Sequence, residues 1–419
     1  MRKRSPLLPI FLVVLVDVLG FTIVYPLLPF YAERFGAGPL VATTLVSVYA
    51  VCSLVSTPLI GRLSDRYGRR ALLLVSQAGT FAGFIVLWQT NALWMVFLGR
   101  ILDGLTAGNL SIAQAYISDH TEAKDRARAF GMIGIAFGIG FFFGPGMAGW
   151  LSTYSYQLPF LVAACLSLVS MACSYTLLEP GAPGVATGTS PIPQAVASGP
   201  GGKRPSLFDI KIYLRYFKQP GLGSLYLQFF LFTFAFSAFM SGFALFAERR
   251  FHWQAHDVGY LFAFSGFLGI ILQGGILGRL VKKLGEIKVV LAGFVSVVIA
   301  YVLLGYASTL AVILTMTVFS AYGNGVLRPV ITSQITQMVS KFEQGVAIGI
   351  SGSLSSLAMS IAPPTGGLLI QHDWLLAWAL VPAAAALIGL IVAIANKSKV
   401  EAKADAPPAK TDAAPAAGA

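Results

Sequence analysis

Four ionisable residues stand inside stretches that are otherwise apolar: Asp17, Arg100, Asp103 and Arg328. Hydrocarbon penalises each by about 2.5–3.5 kcal/mol on insertion scales unless it is paired or hydrated. All four must therefore face the interior of a helix bundle. Asp17 shares a helical face with Gly20, Phe21 and Tyr25, which sets one acid beside two aromatics. An embedded acid of this kind suits a proton carrier that exchanges its proton in competition with a substrate. The other reading is a static hydrogen-bonded acid that ties its helix to a neighbour. Arg100 and Asp103 are three residues apart, so they can pair within one helical turn. Either the pair simply makes the helix insertable, or Arg100 changes partner between Asp103 and Asp17 and biases a two-state element. Arg328 has no acid in its own helix, follows Asn324 by one turn and precedes Pro329. Two roles stand open for it. One is a cavity group for an anionic or carbonyl-bearing substrate, and the other is a cross-bundle partner of Asp17 or Asp103.

Further polar residues punctuate the apolar runs. Gln77, Gln228 and Gln273 read as cavity donors or as links between helices, and Asn109 and Asn324 as cavity groups. His120, His252, His256 and His372 fall between the runs and read as solvated side chains. Cys52, Cys165 and Cys173 form no C-x-x-C pair and read as small buried hydrophobes. No metal site or cofactor is expected, and protons are the expected coupling ion. The sequence carries no P-loop, nucleophile elbow or H-E-x-x-H, so an enzyme is not expected.

The elements that must position these residues follow from composition. Of 419 residues 56% are hydrophobic and 11% charged. A soluble domain carries about a quarter charged residues, so the expected solvent is lipid. Runs long enough to span cover 7–30, 40–61, 71–90, 93–117, 129–151 and 157–178, then 221–247, 257–279, 288–307, 309–336, 345–370 and 374–395. The first is read as an uncleaved membrane helix rather than a signal peptide. The expected fold class is an all-α membrane protein of twelve transmembrane helices in two pseudo-symmetric six-helix bundles. The expected divisions are an N-terminal bundle over 1–178, a cytoplasmic linker over 179–220 and a C-terminal bundle over 221–395. A disordered cytoplasmic tail is expected over 396–419. Residues 206–218 of the linker mix apolar and basic positions as a surface helix would.

The net charge of +12 is a topology signal and not a nucleic-acid footprint. All of the 29 lysines and arginines except Arg34, Arg100, Arg249, Arg250 and Arg328 fall at one end of the alternating runs or in the linker and termini. That end is expected to be cytoplasmic, with both chain termini on it. The halves also echo one another at nearly constant spacing. Gly61–Arg70 is echoed from Gly278, Ala107-Gly-Asn109 by Tyr322-Gly-Asn324, and Gly144-Pro145 by Ala362-Pro363. Such duplications place a substrate site between the halves near the bilayer midplane.

Three stretches carry a family resemblance. Gly61-Arg-Leu-Ser-Asp65-Arg66-Tyr-Gly68-Arg69-Arg70 resembles the loop signature of the major facilitator superfamily. Gly61 and Gly68 are expected to permit its turn, and Asp65 to be ion-paired among the arginines. Arg100 followed by Gly104 and Gly108 resembles the superfamily's helix 4 motif. The run Gly134, Gly138, Gly140, Gly144-Pro145-Gly146 and Gly149 resembles the helix 5 motif associated with antiporters, with Ala148 where that motif has glycine. Physically, glycines at this spacing allow close helix packing, and Pro145 bends the helix. The chain as a whole resembles the drug:proton antiporter branch, near tetracycline-efflux proteins. It departs from them in helix 3, where Gly83 stands at the position of their acid, and in helices 8 and 9, which lack their His and Asp.

The resemblance implies a proton-coupled antiporter that exports lipophilic or amphipathic small molecules by alternating access. It implies a monomer in a bacterial cytoplasmic membrane, with lipid and a small molecule as partners and no nucleic acid. A flippase or symporter for a lipid-linked or sugar-like substrate uses the same fold, and a non-transporting receptor or assembly protein is the reading from another class. Asp17, Arg100 and Asp103 are the expected proton-coupling residues. Phe21, Tyr25, Gln77, Asn109, Gln228, Gln273, Asn324 and Arg328 are the expected substrate cavity. Gly61, Asp65, Arg66, Gly68, Arg69, Arg70, Gly140, Gly144, Pro145 and Gly149 are the expected gating and structural set.

Overall fold

A computed structural model describes residues 7–120, 126–178, 216–219, 221–339 and 343–396. The expected linker up to 215, with that part of its surface helix, and the tail from 397 lie outside the described residues, while 216–218 of the linker are helical. The regular structure of the described residues is helical, with no strand among them. In the N-terminal half the helices are α1 (Leu7–Val24), α2 (Leu28–Glu33), α3 (Pro39–Tyr67), α4 (Arg69–Trp88), α5 (Leu93–Leu105), α6 (Asn109–His120), α7 (Arg126–Ser152) and α8 (Leu158–Leu177). In the C-terminal half α9 (Leu222–Phe251) is followed by α10 (Ala255–Ile271), a π-turn over Leu272–Ile276 and α11 (Leu277–Leu284). Then come α12 (Glu286–Gly305), α13 (Leu310–Gln337), α14 (Gln344–Gln371) and α15 (Leu375–Ala395).

Ten helices among the described residues are long and apolar enough to cross a membrane. The remaining two crossings are composite. The first joins α1 to α2 through a turn over residues 25–27, and the fourth joins α5 to α6. Twelve crossings result, all in helices, as lipid requires of any segment with no sheet partner.

The packing repeats between the halves. In the first, α1 lies against α7 and α8, α4 against α5 and α8, and α3 against α5. In the second, α9 lies against α14 and α15, α12 against α13 and α15, and α10 against α13. These are the same contacts shifted by six crossings. The halves meet along two seams, α3 with α14 and α7 with α10, which the same shift exchanges.

Both seams are tight at the end away from the basic loops. Ser47 Oγ donates to the Met359 carbonyl across one seam at 3.3 Å. On the other, a β-carbon on Gly149 would stand 3.0 Å from the His256 carbonyl oxygen and 3.2 Å from the Gly259 Cα. At the basic end the halves part. Nothing lies within 4 Å of where a β-carbon would stand on Gly61, Gly134, Gly274, Gly275, Gly278, Gly349 or Gly352. The seams are thus tight at one end while the helix faces flanking them are open at the basic end, and we read the space there as a cleft between the halves.

The structure corrects two expectations drawn from apolar runs and one drawn from the loop motif. The run 7–30 breaks between α1 and α2. The run 93–117 is not one helix, because it breaks over Thr106–Gly108. The break frees backbone groups in the membrane, and neighbouring hydroxyls satisfy them. Ser56 donates to the Gly104 carbonyl at 2.6 Å, Thr57 to that of Ala107 at 2.8 Å, and Ser76 to that of Thr106. The Gly108 N–H donates to Ser76 Oγ at 3.0 Å. Gly61, expected to form a turn, instead lies inside α3. The reversal belongs to Gly68 alone, whose φ of +96° suits glycine. Gly285, with φ of +82°, makes the matching reversal between α11 and α12.

Candidate functional site

The N-terminal half gathers its membrane charges in one cluster, with Asp17 partly accessible at the cleft and Arg100 and Asp103 buried behind it. Asp17 on α1 is partly accessible, yet it is surrounded by protein. Its carboxyl is hydrogen-bonded by Gln77 of α4 and Ser170 of α8. Gln77 Nε2 also donates to Ser170 Oγ at 2.7 Å, and Ser167 Oγ donates to the Gln77 carbonyl at 3.1 Å. Three helices thus converge on one carboxyl through neutral groups. Among the described residues Asp17 forms no ion pair.

Asp103 is placed differently. Arg100 pairs with it within one turn of α5, and Thr80 adds a hydrogen bond. The arginine lies over the Tyr49 ring, 5.1 Å from its centroid, and close enough to Tyr25 to act on it electrostatically. Asp17 and Asp103 are near enough to interact as well. Phe21 and Tyr25 hold their rings 5.3 Å apart on the Asp17 face of α1. The cluster therefore holds a buried ion pair that neutralises itself, an accessible acid without a cation, and three aromatic rings.

Gly83, where the resemblance implies an acid in tetracycline exporters, sits at the crossing of α4 and α5. A β-carbon there would stand 2.9 Å from the Gly99 carbonyl oxygen and 3.3 Å from the Asp103 Cβ. A longer side chain has no room, so the helices approach more closely and bring Asp103 inward.

The polar residues of the C-terminal half do not form a matching cluster of acids. Asn324 Nδ2 donates to Ser320 Oγ at 3.0 Å. The Asn324 Oδ1 and the Tyr301 hydroxyl are buried without a partner in good geometry. Arg328 is accessible while densely surrounded by protein, the signature of a group that lines a cleft. No acid among the described residues pairs with it, so the expected cross-bundle pairing with Asp17 or Asp103 is absent in this arrangement. Gln273 is exposed in the π-turn of the eighth crossing. Gln228 is fully buried in α9, and Gln77 in α4, so each acts between helices and neither lines the cleft. Asn109 opens α6 immediately after the break in the fourth crossing, with its Oδ1 buried and unpartnered.

The gating set separates into two groups. Arg69 ties the ends of three helices together. It meets Asp65 of α3 at 2.5 Å and Asp119 of α6 at 3.0 Å, and donates to Ser64 Oγ at 2.6 Å. Arg66 lies over Tyr67 at 5.4 Å and Arg70 over Tyr175 at 4.6 Å. The glycines of α7 serve two faces. Gly140 and Gly144 receive Val18 and Thr22 of α1, and Thr22 Oγ1 donates to the Gly140 carbonyl at 2.9 Å. Gly149 and the Pro145 carbonyl instead meet Gly259 of α10, in the other half. The run is thus both an internal packing face and half of a seam.

Sequence reasoning missed Tyr49, Thr80 and Ser170. Ser167, Ser170 and Ser174 recur at helical spacing in α8, and that stripe is the signal that marks the face turned toward Gln77. The histidines are not all in loops, because His256 lies in the first turn of α10, with its Nε2 3.3 Å from Asp257 Oδ1.

Two halves of like packing, a cleft between them and buried charges on its wall are the anatomy of a secondary transporter. The family model of the Major Facilitator Superfamily matches residues 10–287 and 225–417. The chain belongs to the major facilitator superfamily. It is a membrane transporter of that superfamily and not an enzyme. A class G tetracycline resistance protein of Vibrio anguillarum is 30% identical over 367 residues, covering 87% of this chain and 89% of the relative. Multidrug resistance protein 2 of Bacillus subtilis is 25% identical over 363 residues, covering 85% and 87%. The crystal structure of the human organic anion transporter MFSD10 superposes with a TM-score of 0.70 at 22% identity, covering 94% of this chain and 100% of that one. The last likeness bears on the major facilitator fold alone.

Proposed function

We propose that this superfamily member is a proton-coupled antiporter that exports lipophilic or amphipathic small molecules by alternating access. The observation that carries the reading is Asp17, an enclosed acid on the cleft wall that is held by neutral donors and lacks a cation. An uncompensated charge in such a place is costly. A proton relieves that cost, and so does the positive or polar end of a bound molecule, so the two compete for one carboxyl. Competition at one site is antiport. Arg100 and Asp103 neutralise each other beside it, and Asp17 offers Arg100 a second carboxylate in another state of the cycle. Phe21, Tyr25 and Tyr49 offer an aromatic surface to a lipophilic body. The names of the tetracycline and multidrug resistance relatives support export as the direction. The basic end, read as cytoplasmic by the excess of lysine and arginine, is the end at which the cleft opens.

Arg328 favours a second reading. Its charge lacks an acid, so an anionic substrate group would be drawn to it. Such a substrate would bind best together with a proton on Asp17, which is symport and not exchange. A thermal-shift ligand screen of the purified protein at two pH values separates the two. Antiport requires ligand affinity to fall as pH is lowered, and symport requires it to rise.

A further inference from the structure

At the closed end of the cleft, charges meet across the halves that the chemistry at Asp17 does not use. Glu33 ends α2, beyond the apolar part of the first crossing. Arg249, on α9 of the other half, brings its Nη2 to 3.4 Å from Glu33 Oε1. Glu248 hydrogen-bonds the same Glu33 carboxyl. Asp373, exposed in the turn between α14 and α15, stands 3.9 Å from Arg249 Nε. The other charged neighbours point elsewhere. Arg34 lies over the Tyr156 ring at 4.2 Å, and Arg250 Nε donates to the Ala307 carbonyl at 3.3 Å. Tyr31 of α2 donates its hydroxyl to the Leu87 carbonyl at 2.9 Å. The first turns of α3, which packs on α2, hold no titratable side chain.

Two carboxyls at hydrogen-bonding distance cannot both be ionised without strong repulsion, and a hydrogen bond between them needs a proton. Asp373 is exposed and screened by water, so of the two shielded carboxyls one balances Arg249, which leaves a place for one proton in the closed cluster. When the halves part at this end, Glu33 separates from Glu248 and Arg249, and that place is lost. We propose that Glu33, Glu248 and Arg249 form a proton-sensitive lock between the halves, which a proton closes and whose loss of that proton releases it. The inference rests on the halves rocking about the cleft and not on Asp17 carrying the coupled proton.

Burial, and next the Glu248 carboxyl, push Glu33 up to about 7, against the pull of Arg249. With the halves apart, Glu33 returns toward its ordinary value of 4.5. The higher value belongs to the closed form. Closure is therefore fully favoured below the lower value and loses that advantage as pH rises through about 7. Between about pH 6 and about pH 8 the closing equilibrium weakens about tenfold. On an acidified outer side, the lock returns the empty carrier to the state whose cleft opens at the basic end.

Spin labels on Tyr154→Cys and Leu310→Cys, with the three natural cysteines replaced by alanine, report this end of the molecule in lipid nanodiscs. Distances measured by pulsed electron resonance without substrate give the closed-to-open ratio. The lock requires that ratio to fall about tenfold from about pH 6 to about pH 8. It requires Glu33→Gln and Glu248→Gln each to keep the low-pH distribution at both values, since either leaves one carboxylate for Arg249. Should one variant not fold, the other decides. In Asp17→Asn the pH response persists, which separates failure of the lock from failure of coupling at Asp17. A ratio independent of pH overturns the lock. So does a response that survives in the folded glutamine variants, or one that vanishes only in Asp17→Asn.

Discussion

Gln77 of α4 donates a hydrogen bond to Ser170 of α8 at 2.7 Å, and both also bond the Asp17 carboxyl on α1. The relationship joins three helices of one half through a single acid. Asp17 is thus a packing group and the candidate proton site at once. Gln77→Leu leaves two buried polar groups short of a partner, at a cost of about 1–3 kcal/mol. A lowered melting temperature in detergent, with transport reduced but not abolished, is the expected outcome. A change in transport with an unchanged melting temperature would show that Gln77 does not hold the helices.

The Arg100–Asp103 pair separates insertion from coupling. Arg100→Gln alone leaves an uncompensated carboxylate, and breaking a buried pair on one side costs about 3–5 kcal/mol. Poor membrane yield is expected. Arg100→Gln with Asp103→Asn removes both charges and restores yield. If the pair only neutralises the helix, transport returns with yield. The coupling role predicts a folded protein that does not transport.

Gly83 tests the departure from the tetracycline exporters. Gly83→Asp drives a side chain into the Gly99 carbonyl, and overpacking of this kind costs about 1–3 kcal/mol. The melting temperature falls and the crossing of α4 and α5 widens. A variant as stable as the parent would show that the crossing yields easily.

The seam at α7 and α10 predicts a conformational effect. Gly259→Val places methyl groups against the Pro145 carbonyl and Gly149, which belong to the other half. The closed end opens, and maleimide labels on Tyr154→Cys and Leu310→Cys in one molecule, with the natural cysteines replaced, report it through the change in spacing between them. By contrast, Gly144→Val strikes Thr22 within its own half, so it lowers stability without moving the halves.

Much of the fold was legible in the sequence because lipid imposes one rule on every segment. Twelve apolar runs, the lysine and arginine asymmetry and the echo of Gly61–Arg70 at Gly278 were enough for two like halves. The break at Thr106–Gly108 was not legible, because its hydroxyl partners Ser56, Thr57 and Ser76 lie on other helices and give 93–117 no local mark. Gly61 resembled a turn glycine by its motif, yet α3 continues through it because Gly68 alone makes the reversal. At the site, the embedded charges declared themselves by their cost in lipid. Their partners did not, since a serine such as Ser170 in an apolar helix looks like small filler. The Glu33–Arg249 contact needed three dimensions, as the two residues lie in different halves.

Proton exchange at Asp17 is the central claim, and everted membrane vesicles test it most directly. An acridine dye reports the energised proton gradient while a panel of lipophilic cations and amphipathic dyes is added. Vesicles carrying the parent protein should release quenching with at least one compound, as protons leave in exchange. Vesicles with equal amounts of folded Asp17→Asn should release none. Equal release by parent and Asp17→Asn, or no release by the parent with any compound, would contradict the account.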